Sequence, residues 1–215
     1  MLGDDLVFNT LLVVHILFGF AALLAAIGAV TTQWLRMPHS RHVVCGQLFF
    51  WGMIGIFVTS LPMSVMVGSL FLFLIAIFSV YLAWSGYRYA KRRKGAIAVK
   101  DLLSAGAMLL AATGMVALGG IMLLGGDLNG ITLLVFGGLG LWLAGADLQV
   151  FRSGEYTGKD RIANHLGMMM GATIAAVTAF TVTNFRMDPA FVLWLAPTIV
   201  ILPLILYWRN RVLGG

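Results

Sequence analysis

The sequence predicts an all-α polytopic membrane protein, a bundle of seven transmembrane helices. Three observations lead to this class. Of the 215 residues, 60% are hydrophobic and only 10% are charged, whereas a soluble domain carries about 25% charged residues. The mean hydropathy is +0.97. The apolar residues also fall in runs of roughly 20, the helix length that the hydrocarbon of a bilayer requires. We expect residues 1–215 to form a single transmembrane domain.

Seven apolar spans follow one another along the chain, and a polar or turn-forming break ends each of them. The predicted spans are 6–33, 43–66, 69–90, 101–125, 130–151, 162–185 and 190–208. Pro38, between Arg36 and Arg41, ends the first span, and residues 67–69 form a tight turn after the second. Pro189 suits the start of the last helix, because proline is tolerated at the first helical position.

The basic residues predict the orientation of the chain. Of the 14 Lys and Arg residues, only Arg186 lies on one side of the predicted membrane, and all the others lie on the opposite side. Loops rich in Lys and Arg stay in the cytosol, so we expect the N-terminus outside and the C-terminus in the cytosol. The net charge of +6 therefore reflects topology and does not indicate a nucleic-acid partner. A bacterial cytoplasmic (inner) membrane is the expected location.

The fourth and fifth spans are rich in glycine, which predicts that these two helices pack closely. Small residues allow helix backbones to approach each other in lipid. The glycines in question are Gly106, Gly114, Gly119, Gly120, Gly137, Gly138 and Gly140.

Four ionisable side chains in the predicted spans or at their ends are the candidates for function, because an ionisable group is costly in lipid. His42, Asp147 and His165 are expected in one layer near the cytosolic face, and Cys45 lies one helical turn from His42. His15 is separate, about 13 Å into the outer half of the membrane. Polar residues expected to support the layer or a relay are Gln47, Tyr87, Gln149 and Asn164.

Three interpretations of the cytosolic layer stay open at this point. In the first, His42 and His165 bind a haem, or a transition metal together with Asp147 and Cys45, for redox or assembly work. In the second, the protein is a small transporter or channel in which Asp147 and the histidines relay protons or ions. In the third, it is a lipid-binding or scaffold protein in which Asp147 pairs with a neighbouring Arg or Lys. For His15 we expect a hydrogen bond to a neighbouring helix.

Several chemistries are excluded by what the sequence lacks. The last span, 190–208, contains no lysine for a retinal Schiff base, so no retinal is expected. Paired histidines at both membrane faces, as a two-haem conduit of the cytochrome b561 kind needs, are absent, and so are the common hydrolase signatures. The basic run Lys91–Lys94 is expected to attract anionic lipid headgroups.

Two segments resemble a bacterial family of predicted multi-pass membrane proteins of unknown function. The segment from His39 to Phe50 resembles that family's His-Arg-x-x-Gly-x-x-aromatic motif, although the histidine before Val43 follows the arginine here. The segment from Asn164 to Asn184 resembles its His-x-x-x-Met motif followed by Thr-Ala-Phe. The resemblance implies a similar number of helices and draws attention to His42 and His165, but it implies no activity.

Overall fold

The computed structural model describes residues 6–91, 97–153 and 158–214, and in these residues all regular secondary structure is helical. Its seven helices are α1 (Leu6–Trp34), α2 (His39–Met66), α3 (Leu70–Lys91), α4 (Val99–Leu124), α5 (Gly130–Ser153), α6 (Gly158–Asn184) and α7 (Phe191–Gly214). Each helix is long and apolar enough to cross a membrane. The predicted class is confirmed, and the chain is an integral membrane protein with seven transmembrane helices.

The helices extend beyond the predicted spans at several ends. α2 begins at His39 rather than at residue 43, and α7 continues to Gly214 rather than ending at 208. A span read from hydropathy stops where polar residues begin, whereas a helix continues into the headgroup region with its backbone hydrogen bonds intact. His39, expected in a loop, is thus the first residue of α2, and it is exposed. Asp4 and Asp5 lie outside the described residues.

Glycines in left-handed backbone conformations form two of the tight turns. Gly68, between α2 and α3, has a φ of +66°, and Gly126, between α4 and α5, has a φ of +84°. Residues with a Cβ atom rarely adopt these backbone angles. The glycine-containing breaks in the sequence therefore fall where the chain must reverse direction.

The chain divides into two compact units. The first ends at Val80 and contains α1, α2 and the first half of α3, and the second begins at Tyr81 and contains the rest of the chain. The single transmembrane domain expected from the sequence stays a prediction.

In the first unit, α1 and α2 pack through small residues. A Cβ atom added to Gly52 would lie 3.0 Å from the Cβ of Ala22 and 3.2 Å from its backbone. Real side-chain contacts of this kind are rarely so close, so the absence of a side chain at Gly52 allows the two helices to approach.

In the second unit, glycines bring α4 and α5 together, as the sequence predicted. A Cβ atom on Gly119 would lie 2.8 Å from the carbonyl oxygen of Gly130, and one on Gly137 would lie 2.8 Å from the Val116 side chain. Asp147 lies on the same helix as Gly137, two to three turns further on. The close packing of α4 and α5 therefore fixes the helix that carries this carboxyl group.

Large apolar side chains cover much of the outer surface. Leu110, for example, is 78% exposed, and Val200 is 74% exposed. A soluble monomer rarely exposes large contiguous apolar patches, whereas side chains that face lipid need no burial within the protein. The exposed surface is thus consistent with helices surrounded by hydrocarbon.

Candidate functional site

A buried carboxyl group, Asp147 of α5, is held by three hydroxyl groups of α3. Tyr81 and Ser85 donate hydrogen bonds of 2.7 and 2.8 Å to its Oδ2, and Tyr89 donates one of 2.6 Å to Oδ1. The three donors are spaced four residues apart, so they form one stripe along the face of α3. We call these four residues the carboxyl–hydroxyl cluster. It lies entirely in the second unit.

The cluster is shielded from solvent and lipid. Asp147 is 2% exposed, and Tyr81, Ser85 and Tyr89 are all buried. The scaffold interpretation expected Asp147 to pair with an Arg or Lys of a neighbouring helix. That expectation is wrong for the described residues, in which the hydrogen-bond partners of Asp147 are hydroxyl groups. The physical reason is that the face of α3 opposite Asp147 carries two phenols and a serine rather than a cation.

The hydrogen bonds distribute unequally over the two carboxyl oxygens. A carboxylate offers about four lone-pair positions, two on each oxygen. Oδ2 accepts two hydrogen bonds and Oδ1 accepts one. Oδ1 therefore keeps the greater capacity to take up a proton, and the Tyr89 hydroxyl is the group next to it.

A second buried carboxylate, Asp101 of α4, has a different environment. Arg88 contacts it with two guanidinium nitrogens, Nε at 2.7 Å from Oδ1 and a second at 3.3 Å from Oδ2. The backbone amide of Ala98 donates to Oδ2 at 2.8 Å. Asp101 is also 2% exposed. Its partners can only donate hydrogen bonds, so they hold Asp101 as a charged carboxylate that joins α3 to α4.

Two side chains of α6 fix the end of α3. The Arg161 guanidinium donates to the carbonyl oxygens of Tyr89 and Ala90 at 3.0 and 2.9 Å. A cation at the last carbonyls of a helix satisfies acceptors that have no partner within the helix and complements its dipole. The same contact sets the position of Tyr89, which carries the hydroxyl next to Oδ1 of Asp147.

His165 of α6 also contacts α3. Its Nδ1 lies 2.9 Å from the carbonyl oxygen of Gly86. Because a carbonyl oxygen only accepts hydrogen bonds, Nδ1 carries a proton and donates it. The helices are close here, since a Cβ atom on Gly86 would lie 2.7 Å from the Met169 side chain.

His42 in the first unit has the same hydrogen-bond arrangement. Its Nδ1 lies 3.1 Å from the carbonyl oxygen of Ala29 on α1. Cys45 contacts α1 at Gly28, the residue before Ala29. A Cβ atom on Gly28 would lie 2.9 Å from the Sγ of Cys45. His42 and Cys45 thus lie on one face of α2, as their spacing predicted. The layer expected to join them with Asp147 and His165 stays a prediction.

His15 is hydrogen-bonded to a neighbouring helix, as predicted. Its Nδ1 lies 2.9 Å from Oγ1 of Thr59 on α2. The Thr59 hydroxyl already donates to the carbonyls of Gly55 and Ile56, so the His15 ring supplies the proton and Thr59 accepts it.

The other polar residues selected from the sequence have separate surroundings. Gln47 and Gln149 are exposed, and Asn164 is half-buried. Tyr87 lies under the ammonium group of Lys91, 5.6 Å from the ring centre, a cation–π arrangement within α3. Arg92, Arg93 and Lys94, the rest of the predicted headgroup-binding run, lie outside the described residues.

The predicted metal site stays a prediction. Within residues 6–91, 97–153 and 158–214, the structure contains no group of three or more His, Cys, Asp and Glu side chains that could hold a metal ion. The ligands expected from the sequence were His42, His165, Asp147 and Cys45. Of these, Asp147 has the hydroxyl partners described above, and both histidines donate from Nδ1 to backbone carbonyls.

The fold and the site together define a class: a seven-helix integral membrane protein with a buried carboxyl–hydroxyl cluster between two of its helices. Comparison with protein-family models, curated proteins and solved structures finds no match for the chain. The resemblance to a bacterial multi-pass family therefore stays a prediction.

Three members of the cluster were not identified from the sequence. Asp147 was a candidate, but Tyr81, Ser85 and Tyr89 were not connected with it. The signal was present in the spacing Tyr81-x-x-x-Ser85-x-x-x-Tyr89, which puts three hydroxyls on one face of a transmembrane helix. The roles of Arg88, Asp101 and Arg161 depend on contacts between helices, and the sequence pattern did not indicate them.

Proposed function

We propose that this protein is a small transporter or channel that moves protons, with the carboxyl group of Asp147 as the group that binds and releases them. The observation that carries the proposal is the set of partners around Asp147: three hydroxyls and, in the described part of the chain, no cationic side chain. An ionisable residue inside a transmembrane helix is a default candidate for such a relay.

The hydroxyl partners suit a carboxyl group that changes its protonation state. A hydroxyl both donates and accepts hydrogen bonds, and its hydrogen rotates. All three hydroxyls can donate to the charged carboxylate. When a proton binds to Oδ1, the Tyr89 hydroxyl can turn and accept it in a hydrogen bond while Tyr81 and Ser85 continue to donate to Oδ2. Both states are therefore hydrogen-bonded without movement of the helices.

Asp101 provides a comparison within the same chain. The Arg88 guanidinium and the amide of Ala98 both donate to it, and neither can accept a hydrogen bond from a protonated carboxyl group. Protonation of Asp101 would leave the half-buried Arg88 charge without this carboxylate, a costly arrangement. We therefore assign Asp101 a structural role and Asp147 the proton-carrying role.

The proposal favours protons over larger cations for a geometric reason. A metal cation bound at Asp147 would need the phenol and serine oxygens to point lone pairs at it, and the three hydroxyl hydrogens now directed at the carboxylate would all have to turn away. A proton requires only the Tyr89 hydroxyl to turn. The orientation with the N-terminus outside, in a bacterial cytoplasmic membrane, is part of the proposal.

Proton flux through the purified protein in liposomes tests this proposal. A pH-sensitive dye inside the vesicles reports the flux after an imposed pH difference. We expect Asp147→Asn to abolish the flux, because an amide cannot exchange a proton as a carboxyl does. Asp160→Asn makes the same chemical change at an exposed position on α6, and we expect it to leave the flux unchanged.

The proposal also assigns different roles to the hydroxyls of the cluster. Tyr89→Phe removes the group beside Oδ1, and we expect a larger loss of flux than in Tyr81→Phe, which leaves the Oδ1 contact intact. Proton flux in Asp147→Asn at the wild-type rate would reject the proton-carrying role. Equal flux in Tyr89→Phe and wild type would reject the part assigned to Tyr89.

A second candidate function is haem or transition-metal binding by histidine. It is favoured by the hydrogen bonds from Nδ1 of His42 and of His165 to backbone carbonyls. Histidines that bind metals commonly donate their other ring N–H to a carbonyl or carboxylate, which orients the ring and leaves Nε2 as the ligand atom. Each of the two residues, considered by itself, thus fits a group that takes an imidazole ligand, whose redox or Lewis-acid chemistry the protein would then use.

An absorption spectrum of the purified protein tests this second candidate. Protein from haem-replete cells should show a Soret band that is lost in His42→Ala and in His165→Ala. His39→Ala is the matched control, since His39 is exposed at the start of α2. Colourless, metal-free wild-type protein from haem- and metal-replete cells would reject haem and metal binding.

A further inference from the structure

A cavity lies at the junction between α6 and α7, at the end of the second unit opposite the basic loops. Its volume is about 420 Å³, within the range of small-molecule sites. It is formed where α6 ends at Asn184 and α7 begins at Phe191. Since both helices are long enough to span the membrane, their ends lie at the depth of the lipid headgroups. The cavity is independent of the carboxyl–hydroxyl cluster.

Two opposite charges line this cavity. Arg186 and Asp188 both face it. Neither residue makes a side-chain hydrogen bond or ion pair with another residue in the parts of the chain that the structure describes. The two charges are therefore available to a ligand that carries one negative and one positive group.

Apolar side chains form the rest of the wall. Val182 and Phe185 contribute from the α6 side, and Leu193 contributes from the first turns of α7. A ligand at this position therefore has a polar part next to the two charges and a hydrocarbon part next to the apolar wall. A phospholipid has this division between headgroup and acyl chain.

Arg186 is also unusual in the charge pattern of the sequence. It is the only Lys or Arg among the 14 that lies on the side of the membrane opposite the basic loops. Loops on that side are normally poor in basic residues, so topology does not account for it. An anionic phosphate group in the cavity would pair with this guanidinium in a strong, charge-assisted hydrogen bond.

We infer that this cavity binds one phospholipid of the phosphatidylethanolamine class. In this assignment, Arg186 binds the phosphate, and Asp188 accepts hydrogen bonds from the primary ammonium of the headgroup. The acyl chain lies against Val182, Phe185 and Leu193. Phosphatidylcholine has no N–H group to donate to Asp188, and the headgroup of phosphatidylglycerol has no positive charge to pair with Asp188. Both lipids should therefore bind less tightly than phosphatidylethanolamine.

Native mass spectrometry of the full chain tests this inference. The detergent-purified protein is equilibrated with equal amounts of phosphatidylethanolamine, phosphatidylcholine and phosphatidylglycerol that have identical acyl chains. We expect phosphatidylethanolamine to be retained over phosphatidylcholine by about tenfold, the effect of one hydrogen bond to a charged group. Asp188→Asn should reduce this preference to near equality, and Arg186→Gln should reduce retention of all three lipids.

Three further variants serve as controls. Asp127→Asn makes the same change as Asp188→Asn in an exposed turn of the α4–α5 connection, and it should keep the preference. Arg152→Gln removes an exposed basic residue of α5, and it should keep retention. Arg186→Lys preserves the positive charge and should retain phospholipid, which separates lost binding from lost folding.

Two results would overturn the inference. One is equal retention of the three lipids by the wild-type protein, or a preference for phosphatidylglycerol. The other is a preference for phosphatidylethanolamine that persists unchanged in Asp188→Asn and Arg186→Gln. Neither result bears on proton flux, so this inference and the proposed function stand or fall separately.

Discussion

Replacing Asp147 by alanine removes the acceptor that three buried hydroxyls share. Tyr81, Ser85 and Tyr89 would each keep a donor without its partner. Hydrogen bonds between helices in a membrane contribute about 0.6 kcal/mol on average and up to about 1.7 kcal/mol. If the three contributions add, the loss is about 2–5 kcal/mol. We therefore expect Asp147→Ala to be strongly destabilising, although it removes an ionisable group from the interior of the membrane protein.

Asparagine at the same position should be much less costly. Its amide oxygen can still accept hydrogen bonds from Tyr81 and Ser85, and the Tyr89 hydroxyl can turn to accept from the amide nitrogen. We expect Asp147→Asn to cost less than about 1 kcal/mol, the net contribution of one ordinary hydrogen bond. Neither variant has a carboxyl group, so the difference in stability between Asp147→Ala and Asp147→Asn reports the hydrogen bonds and not the charge.

Thermal unfolding in detergent, followed by tryptophan fluorescence, measures this difference. For a chain of this size, 1 kcal/mol corresponds to about 2–4 °C in Tm. Asp147→Ala should therefore lower Tm by at least about 4 °C, and Asp147→Asn by less than that. Equal Tm values for the two variants, or a lower Tm for the asparagine variant, would refute the hydrogen-bonding account of the cluster.

Three other predictions concern stability outside the cluster, each measured by the same unfolding experiment. Arg88→Gln should cost up to about 3 kcal/mol, because it leaves the charge of Asp101 buried without a guanidinium; no change in Tm would argue against the ion pair. The single variants His15→Ala and Thr59→Val should each cost about 1 kcal/mol, and the double variant should cost no more than that, because both changes remove the same hydrogen bond. A cost of the double variant equal to the sum of the two single costs would contradict that pairing. Gly68→Ala should cost about 1–2 kcal/mol because its backbone is left-handed, and an unchanged Tm would show that the turn relaxes.

The fold was largely predictable from the sequence because a bilayer imposes strict requirements on helices. The length of the apolar runs predicted all seven helices, and the glycines of α4 and α5 predicted their close packing at Gly119 and Gly137. Helix ends were predicted less well. The helical hydrogen-bond pattern of α2 includes His39 and that of α7 extends to Gly214, where hydropathy no longer indicates a span.

The candidate site was predictable only in part. Asp147 was identifiable because an ionisable residue in an apolar run is rare. Which side chains meet it depends on the rotation of α3 about its own axis. That rotation is set by packing, for example at Gly86 beside Met169, and hydropathy does not report it. One of the three interpretations left open by the sequence, the scaffold one, had a cation as the partner of Asp147, where the structure has three hydroxyls.

The central claim is that Asp147 takes up and releases a proton while it stays within its cluster. Infrared difference spectroscopy on the reconstituted protein tests it directly, because a protonated carboxyl group has a C=O stretch that a carboxylate lacks. As the pH is lowered, every carboxyl group that becomes protonated contributes such a band, and we predict one component, due to Asp147, that is present in the wild type and in Asp160→Asn and absent in Asp147→Asn. A wild-type spectrum in which no carboxylic-acid component is missing from the Asp147→Asn spectrum would contradict the claim.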